Sequence, residues 1–365
     1  MRGCNSPVSL WYLDDGTLAG TPETVQADLT RIIEASSDLG LQINAKKCEL
    51  YVVKSGTSED SSVQIEEMKN IAPGIRILSD QDLTLLGAPI LEASGNTVLL
   101  AKLEDLSRMT QRLEDIDAHD ALFLLKNVYA IPKMTYFLRC APCFKHGETL
   151  QQYDEKLRQC LQKILNVQLE DEAWEQCSLP VAKGGLGIRK ASDIALPAFL
   201  SSSNGARTTV EKLLPEYVYE QEYQALTHGN LAWAECFNNN DVVQPENPNL
   251  QSSWDTLLCD KTYKELLMKQ DCPVEKARLL AVASEHSSDW LNAIPVPTLG
   301  LKLDDSSLRL ACGLRLGTQL CEPYTCICGV QVDRKGRHGL SCKKAKGTFA
   351  RHAQLPTQMS SSKGP

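Results

Sequence analysis

The sequence lacks any apolar run of the roughly 18 residues that a membrane-spanning helix needs. Residues Met1–Pro7 also lack the apolar centre of a signal peptide. Basic residues are fewer than acidic ones, 38 against 46, and the net charge is −8. We therefore expect an intracellular protein of the nucleus or cytoplasm, neither secreted nor a membrane partner. The net charge argues against a protein that coats nucleic acid indiscriminately.

The positive charge that the sequence does have is concentrated near its end. From Cys321 to Pro365 there are eight Lys or Arg and two Asp or Glu, a net charge of +6, so the other 320 residues carry −14. An acidic body with a basic tail predicts that any contact with phosphate is local and lies in that tail.

Fourteen cysteines occur without a signal peptide. In a chain of this length they predict reduced thiols, some of them bound to metal, rather than a secreted disulfide scaffold. A length of 365 residues allows two or three domains with a sizeable core.

Residues Ser9–Ala19 have the pattern of a β-hairpin. An apolar, aromatic run leads to Asp14 and Asp15, Gly16 follows as the turn signal, and a second short apolar run leaves. Two carboxylates at an exposed tip form half a site for Mg²⁺, which binds one or two carboxylates and substrate phosphates. An ordinary Asp-Asp-Gly turn is the alternative.

The fold class predicted around this hairpin is α+β. Thr21-Pro22-Glu23 is a helix start, Gly40 ends that helix, and Leu41–Asn44 and Glu49–Val53 alternate as strands. Residues 55–62 have a loop composition, and Leu83–Ile90 is a strand ending in Gly and Pro. From 101 to 166, apolar residues three to four apart predict a helical bundle.

Four potential metal ligands lie within seventeen residues near the end: Cys326, Cys328, His338 and Cys342. Zn²⁺ accepts three thiolates and one imidazole, and a segment this small needs such a centre to fold. Filling all four positions implies a structural site without catalysis. Unpaired thiols and a disulfide are the alternatives, because the C-x-C spacing is tighter than usual.

Basic residues surround these four positions and suit contact with the phosphate backbone of a nucleic acid. A solvated basic tail is the alternative. The candidate nucleic-acid-binding residues are Arg334, Lys335, Arg337, Lys343, Lys344, Lys346 and Arg351.

Tyr12-Leu13-Asp14-Asp15 resembles the Tyr-x-Asp-Asp motif of reverse transcriptases, in which a palm hairpin carries catalytic aspartates that bind Mg²⁺. Gly40-Leu41-x-x-Asn44-x-x-Lys47 resembles the next motif of that family, which implies that Lys47 contacts the triphosphate; a solvated loop lysine is the alternative. The Leu-Gly-x-Pro sequence of residues 86–89 is similar to the primer-grip hairpin.

Later segments resemble reverse transcriptases of non-long-terminal-repeat retrotransposons. The Gly-rich stretch Ser178–Arg189 is similar to a signature found after the thumb in that group; it lacks the GK[ST] ending of a phosphate loop, so we expect a structural connector. The Cys-Cys-His-Cys set followed by Arg351-His352 is similar to the zinc knuckle of elements that carry a C-terminal nuclease.

The resemblance, together with the linker-like composition of residues 238–253 and the polar composition of the tail, predicts a division of the chain into seven parts. These are a partial palm over 1–100, a helical thumb with the Gly-rich connector over 101–195, a helical connector over 196–237, a linker over 238–253, a helical region over 254–320, a zinc knuckle with a basic surface over 321–352, and a disordered tail over 353–365.

The expected function is that of a retrotransposon-derived protein of the RNA-directed DNA polymerase family, truncated at its N-terminus and inactive as an isolated chain. The family places a further catalytic Asp and the fingers well before the hairpin, and only eight residues precede Ser9. The alternative is a non-enzymatic protein that binds RNA, DNA or another protein through the thumb and knuckle. A gene-model fragment without a cellular role is a third interpretation.

Overall fold

The computed structural model describes residues 3–53, 58–213, 224–237 and 243–344. The chain is mostly helical with small two-stranded sheets, an α+β composition as predicted. It divides into two compact units, Met1–Leu86 and Gly87–Pro365. In the described residues, no helix has both the length and the apolar composition to cross a membrane.

The described residues of the first unit form two helices and five short strands. In chain order they are β1 Val8–Tyr12, β2 Asp15–Ala19, α1 Pro22–Asp38, β3 Glu49–Leu50, α2 Ser58–Ile71, β4 Arg76–Ile77 and β5 Thr84–Leu85. Strands β1 and β2 pair antiparallel, and β3 pairs parallel with β4. Helix α1 begins at the predicted cap, where the Thr21 side chain accepts a hydrogen bond from the Thr24 amide, and ends before Gly40.

The predicted hairpin forms, but its turn lies two residues earlier than the Asp-Gly signal at residues 15 and 16 indicates. Tyr12 pairs with Asp15, so Leu13 and Asp14 make the turn, and Leu13 takes a positive φ of 57°. Gly16 lies inside β2 opposite Trp11, and a Cβ added to it would lie 2.5 Å from the indole ring. Glycine is therefore needed here for close packing of the aromatic ring rather than for the turn.

Three other local predictions in this unit were wrong. Leu41–Asn44 forms no strand, because the Leu41 amide completes the end of α1 by donating to the Ser36 carbonyl. Helix α2 begins at Ser58 within the predicted loop, since a Ser-Glu-Asp run also suits a helix N-terminus. The strand predicted over Leu83–Ile90 is interrupted by positive φ angles at Leu86 and Gly87.

The second unit contains eleven helices and three short strands among its described residues. They are β6 Ala88–Pro89, α3 Glu92–Leu113, α4 Ala118–Leu124, α5 Thr135–Cys140, α6 Gly147–Leu165, α7 Asp171–Ser178, α8 Ala191–Leu213, α9 Gln224–Cys236, α10 Gln251–Lys269, α11 Pro273–Val282, α12 Asp305–Leu316, β7 Tyr324–Thr325, β8 Gln331–Val332 and α13 His338–Ser341. We call helices α3–α12 the helical body.

The largest core of this unit includes apolar positions that the sequence spacing selects on α3, α4 and α6. Leu106, Leu122, Leu157 and Leu161 are each at most 3% exposed. Val128 belongs to the same apolar spacing, which predicts a core position, but it is exposed. It lies in a π-helical turn, Leu125–Tyr129, whose wider spacing rotates the next apolar position outward.

Two of the predicted boundaries lie within or beside helices of the structure. Helix α8 runs through the predicted boundary between residues 195 and 196, and α10 begins at Gln251, inside the predicted linker. Residues 238–242 of that linker and the predicted tail over 353–365 lie outside the described residues. Trp254 packs edge-to-face on Trp233, with ring centroids 4.8 Å apart.

Residues 183–188, which we call the Gly-rich loop, are locked into the helical body by hydrogen bonds. The amides of Gly185, Leu186 and Gly187 donate to carbonyls of residues 177–180. The buried Arg315 guanidinium donates to the Gly185 carbonyl at 3.1 Å. Because these amides already have protein partners, the loop is not arranged to bind a phosphate.

The packing of this loop predicts that Gly185→Ala destabilises the second unit. A Cβ at Gly185 would overlap the Leu179 carbonyl and lie 2.6 Å from the Gln176 carbonyl oxygen, both of which are backbone atoms. We expect the free energy of unfolding to fall by about 1–3 kcal/mol or more. The measurement is the midpoint of urea unfolding followed by tryptophan fluorescence.

Gly147→Ala is the matched control. Gly147 is the first residue of α6 and has no heavy atom within 4 Å of its would-be Cβ, so the midpoint should stay or rise. Equal midpoints for the two variants would contradict the account of the loop.

Candidate metal centre

The four predicted metal ligands lie in a small segment at the end of the described chain, residues 321–344, which we call the Cys/His module. Its first half is a hairpin in which β7 pairs antiparallel with β8. The connection is a tight turn: the Gly329 amide donates to the Cys326 carbonyl at 2.7 Å, and Gly329 takes a φ of 88°. This turn places Cys326 and Cys328 at the tip of the hairpin.

The second half of the module brings the other two ligands to the same place. After β8 the chain turns at Asp333–Gly336, where the Gly336 amide donates to the Asp333 carbonyl at 3.0 Å and Gly336 takes a φ of 66°. The single-turn helix α13 follows. His338 begins that helix and Cys342 follows its end, four residues later, so both lie on one side of it.

The four ligand atoms converge at the spacing of a tetrahedral metal site. All lie within 4.8 Å of one another. The Cys326 and Cys342 sulfurs are 3.6 Å apart, and the Cys328 sulfur is 3.1 Å from His338 Nε2. Ligands at normal zinc distances would be separated by about 3.5–3.8 Å. A disulfide, with sulfurs about 2 Å apart, does not fit this geometry.

The donor set fits zinc bound for a structural purpose. Three thiolates and one imidazole complete a tetrahedral sphere, so no position is left for water or substrate. All fourteen cysteines lie in described residues, and none forms a disulfide. A Cys₃His group able to hold a structural metal such as zinc is therefore present in the chain.

The module has little apolar core with which to fold by itself. Val332 is 1% exposed and Cys342 4%, whereas Ile327 and Leu340 are 80% and 60% exposed. With so little buried apolar surface, bound metal would supply much of the folding free energy of the module.

Two of the predicted nucleic-acid-binding residues are held by a carboxylate of the helical body. Lys335 and Arg337 both donate to Glu275 in the first turn of α11, and Arg278 donates to the other oxygen of the same carboxylate at 2.8 Å. Burial opposes ionisation of Glu275, but the hydrogen bonds from Lys335, Arg278 and Arg337 outweigh it and lower its pKa to about 2. Glu275 is therefore a carboxylate at neutral pH.

The remaining predicted nucleic-acid-binding residues differ in their exposure and in their partners. Arg334 lies 3.6 Å from the Glu322 carboxylate. Lys343 and Lys344 are exposed, and Lys344 donates to the Ile327 carbonyl at 3.3 Å. Lys346 and Arg351 lie outside the described residues. In the described part of the module, the exposed cations without an ion pair, Lys343 and Lys344, thus come directly after its last ligand.

The predicted catalytic residues all belong to the first unit. Asp14 and Asp15 are exposed at the hairpin tip, and Lys47 is exposed on a short 3₁₀ turn, Ala45–Lys47. Among the described residues, no further Asp, Glu, His or Cys joins the two aspartates to form a cluster of three. Two carboxylates do not make a two-metal site, so we derive no catalytic step through Mg²⁺.

The residue at this centre that sequence reasoning missed is Glu275, the partner of Lys335 and Arg337. Its sequence context is that of any acid in the first turn of a helix, which ordinarily faces solvent. The partners that bury it lie 60 and 62 residues away in the sequence. No local pattern signals such a contact.

Comparison with known proteins points to a mobile element. No family model matches the chain. A stretch of 185 residues, 50% of the chain, is 24% identical to the retrotransposable element SLACS 132 kDa protein of Trypanosoma brucei gambiense. The aligned stretch is 15% of the length of that protein. This distant likeness indicates a retrotransposon-related origin.

The geometry of the module predicts that the purified chain binds about one equivalent of zinc and that Cys328→Ser loses it, because three ligands cannot close the tetrahedron. Elemental analysis after dialysis measures this. Cys321→Ser is the matched control: Cys321 lies in the same module, but its thiol donates to the Asp333 carbonyl at 3.4 Å and is not among the ligands. Retention of zinc by Cys328→Ser, or loss by Cys321→Ser, would refute the assignment.

Proposed function

We propose that this chain is a reverse-transcriptase-derived protein of retrotransposon origin that binds RNA or DNA through a zinc-bound Cys/His module. The observation that carries the proposal is the convergence of Cys326, Cys328, His338 and Cys342 at tetrahedral spacing, followed at once by exposed lysines. The distant likeness to a retrotransposable element protein supports the origin.

The hairpin supports descent from a polymerase palm. Tyr12-Leu13-Asp14-Asp15 has the order of the reverse-transcriptase motif, and it lies at the tip of two antiparallel strands with both carboxylates exposed. This arrangement suits a site that presents acidic groups to a metal and its substrate.

The surroundings of the cations suggest that some of them hold the module in place and others contact phosphate. Lys335 and Arg337 are bound to a buried carboxylate and are not available to phosphate without losing that partner. Lys343 and Lys344 are exposed, and Lys343 has no ion pair within the described part of the chain. We therefore assign phosphate contact to Lys343 and Lys344.

This assignment predicts that replacing both Lys343 and Lys344 by Gln weakens binding to RNA and DNA irrespective of sequence. The logarithm of the affinity falls linearly with the logarithm of the salt concentration, and each phosphate contact contributes about 0.7–0.9 to the steepness of that line. The line for the double variant should therefore be less steep by about 1.4–1.8. Fluorescence anisotropy with labelled oligonucleotides at several salt concentrations measures both effects.

The matched control replaces Lys264 and Lys269 by Gln. Both are exposed on α10, outside the module, and their loss removes the same charge. Binding that is insensitive to salt, or that falls equally in the two double variants, would contradict phosphate contact by the module.

A second candidate function, nucleotide polymerisation by this chain alone, is not favoured. Phosphoryl transfer of that type requires two cations bridged by acidic ligands. Asp14 and Asp15 lack a third acidic neighbour among the described residues.

We accordingly expect primer extension by the purified chain, with Mg²⁺ and deoxynucleotides, to remain at the level of a buffer control. Extension above that level that is abolished by Asp14→Ala would overturn this conclusion. Glu23→Ala, an exposed acid at the start of α1, controls for the loss of one carboxylate in the same unit.

A further inference from the structure

The contact of the Cys/His module with α11 joins the metal centre to a buried carboxylate. Glu275 is 8% exposed and receives hydrogen bonds from Lys335 and Arg337. Arg337 directly precedes the ligand His338, and Lys335 lies in the turn that leads to it. Any change in the position of His338 therefore moves the two cations that neutralise Glu275.

The physical chemistry of Glu275 makes this contact costly to break. A buried carboxylate that loses its cations retains an uncompensated charge, which is strongly destabilising. Arg278 alone would remain as its partner. Because the module has so little apolar core, an unliganded module would not be expected to hold Lys335 and Arg337 in place.

On the side of α11, the contact continues through Arg278 to buried polar groups of the helical body. Arg278 donates to the Gln176 amide oxygen at 2.9 Å and to the Arg315 carbonyl. Gln176 is 1% exposed, and its amide group donates to the Gly184 carbonyl at 2.9 Å and to the Arg315 carbonyl at 3.1 Å. A continuous set of polar contacts thus runs from the module to the Gly-rich loop.

We propose that Glu275 is a positioning residue for the metal centre, through which metal binding by the Cys/His module and the order of the helical body are coupled. The inference rests on the metal centre of the proposed function and does not depend on nucleic-acid binding. Coupling is reciprocal: if metal stabilises the contact with α11, then loss of the contact weakens metal binding by the same factor.

The first measurement is the Zn²⁺ affinity of the full chain, by competition with a chromophoric chelator. Glu275→Gln keeps the size of the side chain and removes its charge, and we expect the affinity to fall on the order of tenfold. Glu322→Gln is the matched control, because it removes an exposed carboxylate within the module itself, 3.6 Å from Arg334. The Zn²⁺ affinity of the Glu322→Gln variant should stay within about twofold of that of the original chain, because exposed ion pairs contribute little free energy.

The second measurement separates coupling from ordinary destabilisation. Melting temperatures are compared for the original chain, Glu275→Gln, Cys328→Ser and the double variant, all with Zn²⁺ present. Coupling predicts that Glu275→Gln lowers the melting temperature much more in the original chain than in the Cys328→Ser background. An equal decrease in both backgrounds would mean that Glu275 has a merely structural role and would overturn the proposal.

The third measurement removes the metal and uses amide hydrogen exchange to detect the effect on α11. Removing zinc from the original chain with a chelator should raise amide exchange in Pro273–Val282, whereas exchange in the core helix α6 should change little. Unchanged exchange in Pro273–Val282, or equal Zn²⁺ affinities for Glu275→Gln and Glu322→Gln, would refute the coupling.

Absence of zinc binding and misfolding of the Glu275→Gln variant can each be told apart from a failure of the coupling. If the original chain binds no zinc, the metal centre itself is refuted. If Glu275→Gln does not fold, Lys335→Gln removes one of the three cations and should lower the Zn²⁺ affinity in the same direction; an affinity equal to that of the Glu322→Gln control would then refute the proposal.

Discussion

The contact between the Cys/His module and the helical body is centred on one buried carboxylate, that of Glu275. It is surrounded by Lys335, Arg337 and Arg278, and these cations keep it ionised at a pKa of about 2 in spite of its burial. Two of the cations belong to the Cys/His module and the third to α11. The ion pairs therefore attach a module without a substantial core of its own to a helical body that has one.

The same interaction changes how the basic end of the chain is interpreted. By sequence alone, all the cations of the module are equal candidates for contact with phosphate. In the structure, Lys335 and Arg337 are committed to an internal carboxylate, whereas Lys343 and Lys344 face outward. Cations that are neighbours in the sequence therefore differ in their surroundings, and the position of the opposing carboxylate makes the difference.

Local features of the fold could be predicted from the sequence, and long-range ones could not. The hairpin at Val8–Ala19, the start of α1 and the set of four potential ligands follow from residue types and spacing over a few residues. The turn at Leu13 could not be placed, because residue preferences assign a positive φ to glycine. The partners of Glu275 are 60 and 62 residues away, beyond the reach of any periodicity.

The central claim is that Cys326, Cys328, His338 and Cys342 hold one zinc ion in a closed site. X-ray absorption at the zinc K-edge of the purified chain tests this most directly. The account predicts a four-coordinate ion with three sulfurs at about 2.3 Å and one nitrogen at about 2.0–2.1 Å. A first shell of oxygen and nitrogen alone, or a shell of five or six ligands with bound water, would contradict it.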